Sequence, residues 1–214
     1  MDLATGFNHT NTAEDQQEEQ RAVPRYTSLI RAAKIVSAQG EFVCVIRDVS
    51  QEGVKLRTFH DLPMCKQIAL ELQNGECFEL EKVSEDGREA NFRFDGSVAV
   101  EQLIHESWAF PKRQLRLNLA MPLVLTTLTA RHEAIAENLS QQGARVDCEA
   151  QFAIDQTVRI QGEQLPEIRA KVRWRRDHSY GLVFDNTFTL RDFSLLAATV
   201  QCPTLVLAED RTAS

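Results

Sequence analysis

The feature that most constrains this chain is a short sequence that occurs twice. The heptapeptide DVSQEGV begins at Asp48, and NLSQQGA begins 90 residues later at Asn138. A Phe-Asp pair recurs at the same spacing, starting at Phe94 and again at Phe184. Self-similarity at a fixed distance indicates that one structural unit is repeated along the chain. We therefore expect two modules of roughly 90 residues each instead of one large domain.

Each module consists of short apolar segments separated by turn residues. Alternating segments such as Val54-Lys55-Leu56, together with turns at Asn74-Gly75 and Asp86-Gly87, are typical of antiparallel strands. Helical patterns over 98–108 and 188–200 close the two modules. The sequence predicts a mainly β protein built of two small barrels. The predicted boundaries are a flexible acidic tail at 1–20, a first module at 21–110, a second at 111–201, and a C-terminal tail at 202–214.

Charge and composition exclude several functional classes. The formal net charge of −7 opposes non-specific binding of DNA or RNA, so no nucleic acid is expected as a partner. No apolar run reaches the roughly 18 residues of a membrane span. The five cysteines form no Cys-x-x-Cys pair, which favours a reducing, cytoplasmic compartment. Neither a catalytic motif nor a metal-ligand spacing is present, and we expect no enzyme activity and no cofactor.

A pair of basic residues precedes the repeated turn in each module. In the first module Arg21 and Arg25 lie in RAVPR, and in the second Lys112 and Arg116 lie in KRQLR. Pro24 disfavours a helix here, so the first pair is expected on a loop that can wrap around one ligand. The planar guanidinium group of arginine binds phosphate in a bidentate manner, and it can also donate to guanine O6 and N7.

The repeated turn supplies complementary groups. The Asp48 carboxylate can accept hydrogen bonds from the N1–H and N2 edge of guanine. Ser50 is expected on the same side with a hydroxyl, and Gly53 allows a sharp turn or a close approach to the ligand. The corresponding positions of the second module are Asn138, Ser140 and Gly143. The first set predicts a site for a guanine nucleotide.

Together, RxxxR followed by [D/N]xSxxG resembles the PilZ domain family. The resemblance covers about residues 20–200, and the segments VRW and YGLVF, which begin at Val172 and Tyr180, are similar to the last strands of the family. It implies two tandem six-stranded antiparallel barrels, each followed by a helix, and binding of the bacterial messenger cyclic di-GMP. The implied ligand-binding residues of the first module are Arg21, Arg25, Asp48, Ser50 and Gly53.

The second module departs from the family pattern at one position. Lys112 replaces the first arginine, and a lysine cannot make the bidentate contact. Lys112, Arg116, Asn138, Ser140 and Gly143 are therefore expected to form a degenerate site, and a structural role for this module is as well supported as ligand binding. Trp174 is expected to pack inside the barrel.

Two functions from different classes remain open. The first is a non-catalytic cyclic di-GMP receptor that binds through the first module and relays binding to a protein partner in motility, polysaccharide or secretion output. The alternative is a PilZ-like interaction adaptor that no longer binds nucleotide. A single-stranded nucleic-acid binder is disfavoured, because only 7% of the residues are aromatic and the net charge is negative.

Overall fold

The computed structural model describes residues 30–65, 67–104 and 114–206. Its first half forms one closed barrel of six antiparallel strands in the order β1-β2-β3-β6-β5-β4. The strands are β1 (Arg31–Ser37), β2 (Gly40–Val49), β3 (Gly53–Arg57), β4 (Ile68–Glu71), β5 (Cys77–Asp86) and β6 (Glu89–Phe94). Closure of the sheet leaves no unpaired strand edge.

The second half forms another closed barrel with the same connectivity. Its strands are β7 (Arg116–Thr126), β8 (Arg131–Ser140), β9 (Gly143–Asp147), β10 (Thr157–Gly162), β11 (Leu165–Arg176) and β12 (Ser179–Phe184), in the order β10-β11-β12-β9-β8-β7. The alternating pattern of β7, in which Leu117, Leu119 and Met121 are buried and the residues between them are exposed, is that of a strand with one face toward the core. The predicted mainly β fold with two six-stranded barrels is confirmed.

A helix follows each barrel. Helix α1 (Val100–Ile104) buries Val100 and Leu103 in the first core, and the remainder of the predicted 98–108 helix, including Trp108, lies outside the described residues. Helix α2 (Leu190–Gln201) begins at Thr189, whose side chain accepts a hydrogen bond from the Asp192 backbone N–H at 3.1 Å. This N-cap satisfies a backbone donor that the first helical turn leaves unpaired.

The two barrels meet through β2 and α2. Strand β2 buries five consecutive side chains, at positions 42–46, instead of alternate ones. Cys44 and Ile46 face the first core, but Val43 packs into the core of the second barrel, and Phe42 packs against Ala198 of α2 and Leu205. A strand covered on both faces is expected to be continuously apolar. The run is therefore explained by contact with the other barrel.

Residues 202–206, which the sequence assigns to the C-terminal tail, are part of this contact. They contain a short 3₁₀ helix, Pro203–Leu205, and the Leu205 carbonyl accepts a hydrogen bond from the Asp61 N–H of the first barrel at 3.1 Å. The other module boundaries stay predictions, and the acidic tail at 1–20 lies outside the described residues. Within the described part of the chain, no helix has the length and apolar character needed to cross a membrane.

Candidate functional site

The repeated heptapeptide forms the same turn in both barrels. In the first barrel the Ser50 N–H donates to the Gly53 carbonyl at 2.9 Å, and the Ser50 hydroxyl donates to the same oxygen at 3.3 Å. In the second, the Ser140 hydroxyl donates to the Gly143 carbonyl at 3.1 Å. Both serines therefore stabilise the turn. Ser50 Oγ also accepts a hydrogen bond from the Gly53 N–H at 3.2 Å, and each hydroxyl oxygen keeps a lone pair with which to accept another hydrogen bond.

The two glycines are required by the barrel. A Cβ atom on Gly53 would lie 2.5 Å from the Phe92 carbonyl oxygen, and one on Gly143 would lie 2.2 Å from the Leu182 carbonyl oxygen. The close approach expected from the sequence is therefore one to the adjacent strand, β6 or β12. Because backbone cannot move aside as a flexible side chain does, neither position accommodates a side chain without displacement of the sheet.

The second barrel carries a groove of about 560 Å³ next to this turn. Strand pairing sets Arg116 opposite Ser140 and Asn118 opposite Asn138, so β7 and β8 bring the motif residues to one wall. Four of the five residues predicted for the degenerate site, Arg116, Asn138, Ser140 and Gly143, line the groove together. The fifth, Lys112, lies outside the described residues.

The groove also contains an aromatic side chain that was expected inside the barrel. Trp174 lines the groove with 42% of its surface exposed and is not part of the barrel core. The pairing of β11 with β12 shifts between Val172 and Trp174, and this irregularity interrupts the alternation from which burial was predicted. The indole lies directly against Gly181, where a Cβ atom would be 1.9 Å from Trp174 Nε1. A bulge and a glycine thus hold the ring on the surface.

Three arginines give the groove a positive lining. Arg145 pairs with Glu137 at 2.5 Å, and Arg173 pairs with Asp155 at 3.2 Å. Arg116 is exposed and has no ion-pair partner among the residues that the structure describes. Its guanidinium group is therefore available to an anion, and the groove as a whole combines phosphate-binding and base-stacking chemistry.

Sequence comparison identifies the barrel that carries this groove. Residues 111–201 match the family model described as the PilZ domain. The second barrel is a PilZ domain. This match confirms the resemblance for that half of the chain, including the turn and the strands at Val172 and Tyr180. No sequence among the curated proteins matches the chain.

Several solved structures are similar to the chain at low sequence identity. The PlzA protein of Borreliella burgdorferi, in complex with c-di-GMP, is 12% identical with a TM-score of 0.34, covering 88% of this chain and 97% of that one. The inhibitor of motility MotI/DgrA of Bacillus subtilis is 9% identical with a TM-score of 0.33, covering 87% and 98%. The K. pneumonia MrkH–c-di-GMP complex is 11% identical with a TM-score of 0.31, covering 94% of each chain.

The first barrel differs from the PilZ domain at the equivalent groove. Positions 90 residues before Trp174 and Gly181 are Ser84 and Asn91, which are joined by a hydrogen bond of 3.0 Å. Lys55, which corresponds to Arg145, is paired with Glu89 at 2.5 Å. The hydrogen bond from Lys55 lowers the pKa of the Glu89 carboxyl. The described part of the first barrel therefore has no aromatic platform at this place.

Only three of the five residues predicted for the first site lie within the described part of the chain. Asp48 lies near the end of β2, Ser50 in the turn that follows and Gly53 at the start of β3, whereas Arg21 and Arg25 lie outside the described residues. Trp174, Arg145 and Arg173 also line the groove of the PilZ domain and were not among the predicted site residues. The Gly181 that follows Tyr180 was an available signal for the first of these, because a glycine inside a strand often marks a close approach by another group.

Proposed function

We propose that this chain is a non-catalytic receptor for cyclic di-GMP. The observation that carries the proposal is the groove of the PilZ domain, in which Arg116, the turn at 138–143 and the exposed Trp174 ring converge. Its volume of about 560 Å³ lies in the range of roughly 300–1,000 Å³ typical of small-ligand sites. The PilZ family resemblance supplies the identity of the ligand.

Each group in the groove matches a part of this ligand. The Arg116 guanidinium suits a phosphate or the O6 and N7 atoms of guanine. The Asn138 side-chain amide can accept from the N1–H of guanine and donate to O6. The Trp174 ring offers a flat face on which a base can stack, an interaction worth about 1–3 kcal/mol per base. Arg145 and Arg173 add positive charge beside it.

We also propose that the first barrel binds cyclic di-GMP, as its sequence motif predicts. Arg21 and Arg25 would grip the phosphates and guanine edges, while Asp48, Ser50 and Gly53 would hold the other side of the ligand. Support comes from the turn at 48–53, in which the serine hydroxyl donates to the glycine carbonyl as it does in the PilZ domain. Lys112 would contribute only a point charge to the second site.

The output of the receptor is proposed to be a protein partner in the cytoplasm. Ligand binding would bias the arrangement of the two barrels or of the first-barrel arginine loop, and a motility, polysaccharide or secretion component would recognise that change. The contact through β2 and α2 supports communication between the barrels, because neither can move without repacking Val43 and Phe42.

Titration calorimetry on the full chain tests the proposal. Cyclic di-GMP is titrated into the unaltered protein, R116A/W174A, R21A/R25A and the protein with all four changes. Arg159→Ala, which removes an exposed arginine of the same PilZ domain outside the groove, is the matched control for lost charge. We expect binding near the micromolar range, about −8 kcal/mol, with each double variant losing one part of it and the quadruple variant losing all.

Each other outcome has a definite meaning. If the unaltered protein neither produces heat nor gains thermal stability with cyclic di-GMP, the receptor function is wrong and the adaptor is favoured. Full binding by R116A/W174A would remove the groove as a site, and full binding by R21A/R25A would remove the first-barrel site. Equal losses in R159A and R116A/W174A would mean that general charge, not the groove, attracts the ligand.

A further inference from the structure

One side chain of the first barrel reaches directly to the groove-bearing strand of the PilZ domain. Glu41, near the start of β2, accepts two hydrogen bonds from Asn118 of β7. The Asn118 backbone N–H donates to Glu41 Oε2 at 2.7 Å, and its side-chain amide donates to Oε1 at 2.8 Å. Both oxygens of a carboxylate of the first barrel are therefore used by a single residue of the second.

Glu41 is itself held from two further directions. Lys34 of β1, which is only 4% exposed, donates to Glu41 Oε2 at 2.9 Å. The Gln201 side chain of α2 accepts from the Glu41 N–H at 2.9 Å and donates to the Glu41 carbonyl at 2.7 Å. Gly40 lets this amide approach, because a Cβ atom there would lie 2.4 Å from Gln201 Oε1. Lys34 thus holds the carboxylate of Glu41, and Gln201 holds its backbone.

The contact is made where β7 carries the ligand-binding arginine. Asn118 lies two residues after Arg116, so both side chains project from the same face of the strand. Asn118 is paired with Asn138, and Arg116 with Ser140 in the last pair of that ladder. The regular pairing is interrupted immediately after Asn118. The three pairs from Arg116 to Asn118 therefore form a short end segment of the β7–β8 pairing, separated from the rest by the irregularity.

We infer that Glu41 is a positioning residue for the nucleotide groove of the PilZ domain, acting through Asn118 on Arg116. This inference rests on the proposed cyclic di-GMP binding. Glu41 does not touch the ligand, and it reduces the motion of a strand end that would otherwise have to be ordered on binding. Since coupling between two equilibria is reciprocal, ligand in the groove in turn strengthens the contact between the barrels.

The test compares two acidic residues that share Lys34. Lys34 Nζ lies 3.1 Å from Glu71 Oε1 and 2.9 Å from Glu41 Oε2. Among the contacts of the described residues, Glu41 bonds Asn118 and Glu71 does not. Cyclic di-GMP is titrated by calorimetry into full-length E41A and E71Q, both made in the R21A/R25A background so that only the groove of the PilZ domain is measured. We expect E41A to bind about tenfold more weakly and E71Q to bind within about twofold of the background protein.

A side-chain exchange separates positioning from general stabilisation. Asn118→Asp sets two carboxylates against each other and is expected to weaken binding as E41A does. Adding Glu41→Gln restores the pair, because the glutamine amide donates to the new carboxylate while its oxygen accepts from the backbone N–H of position 118. We expect E41Q/N118D to recover most of the affinity, and the fluorescence of Trp174 to follow ligand binding in the same order when measured with Trp108→Phe. Should E41A fail to fold, N118D and its rescue carry the test.

The outcomes distinguish failure of the positioning role of Glu41 from failure of the proposed cyclic di-GMP binding. No binding in the R21A/R25A background protein means that the groove does not take cyclic di-GMP, and it overturns this inference together with the groove as a site. The receptor function itself fails only if the unaltered protein does not bind either. Binding in that protein with unchanged affinity in E41A and N118D overturns the positioning role alone. Equal losses in E41A and E71Q, or no recovery in E41Q/N118D, also overturn it, because the effect would then come from the ion-pair network of the first barrel.

Discussion

Strands β2 and β8 hold the same place in the two barrels, yet they are buried differently. The β2 segment FVCVI is buried at every position, whereas the β8 segment HEAIA, 90 residues later, is buried only at Ala134 and Ala136. Ile135 is 54% exposed, and its counterpart Val45 is 6% exposed. The outer face of β2 is covered by the PilZ domain and that of β8 is not. One repeated fold therefore carries two different surfaces, an internal interface on the first barrel and an open groove on the second.

The largest expected effect tests the covered face of β2. Phe42 is fully buried against Ala198 and Leu205, and its ring meets the edge of His60 at a centroid distance of 5.3 Å. Phe42→Ala should lower the free energy of unfolding by about 4 kcal/mol, because it opens a cavity between the barrels. His132→Ala, at the equivalent position of β8, should cost less than about 2 kcal/mol. Urea denaturation measures both, and equal losses would contradict the difference between the two strands.

The next effect tests what the barrels have in common. Gly53→Ala and Gly143→Ala each force a Cβ atom against a backbone carbonyl of the adjacent strand. Both should lower the free energy of unfolding by about 2–3 kcal/mol, because the sheet must shift to make room. Gly75→Ala, where the chain turns with a positive φ and nothing lies within 4 Å, is the control for backbone strain without a clash. Thermal unfolding measures all three variants. A loss of stability in only one of Gly53→Ala and Gly143→Ala would show that the two turns are not equivalent.

The aromatic platform supplies the third prediction. Trp174→Ala should weaken cyclic di-GMP binding to the PilZ domain by about 2 kcal/mol, since a stacked base loses its support. Ser84→Ala, at the equivalent position of the first barrel, loses only the hydrogen bond from Asn91 and should leave nucleotide binding unchanged. Calorimetry measures Trp174→Ala in the R21A/R25A background, which isolates the groove of the PilZ domain. It measures Ser84→Ala in the R116A background, which isolates the first-barrel site. An affinity loss from Ser84→Ala as large as that from Trp174→Ala would contradict the assignment of stacking to one barrel.

The smallest effect concerns pH. The hydrogen bond from Lys55 lowers the pKa of Glu89 in the folded protein, so this pair contributes stability above the ordinary glutamate pKa of about 4.3. That contribution is lost as the pH falls through the lower, folded-state pKa. Because the pair is partly exposed, we expect only about 0.5 kcal/mol. Denaturation of the unaltered protein and Glu89→Gln at about pH 7 and about pH 3 checks this, and a difference that grows toward the acidic pH would have the wrong sign.

Local sequence signals were sufficient for the architecture. The repeat at Asp48 and Asn138 predicted two modules because identical turns need identical residues, here a serine that closes the turn and a glycine that admits the neighbouring strand. Alternation along segments such as β7 predicted which side chains face a core. The motif residues of the PilZ domain, from Arg116 to Gly143, meet in one groove because strand pairing follows from those same local patterns.

Only the tertiary structure decided which outward-facing side chains are covered and which are exposed. Trp174 was expected inside the barrel, and a shift in the pairing of β11 with β12, which no alternation pattern reveals, places it in the groove. The burial of Val43 and the contact of Glu41 with Asn118, 77 residues apart, depend on how one closed barrel packs against the other. Short-range periodicity reports the face that a strand turns to its own core. The neighbour that covers the opposite face is set by side chains distant in sequence, and only the folded chain brings them together.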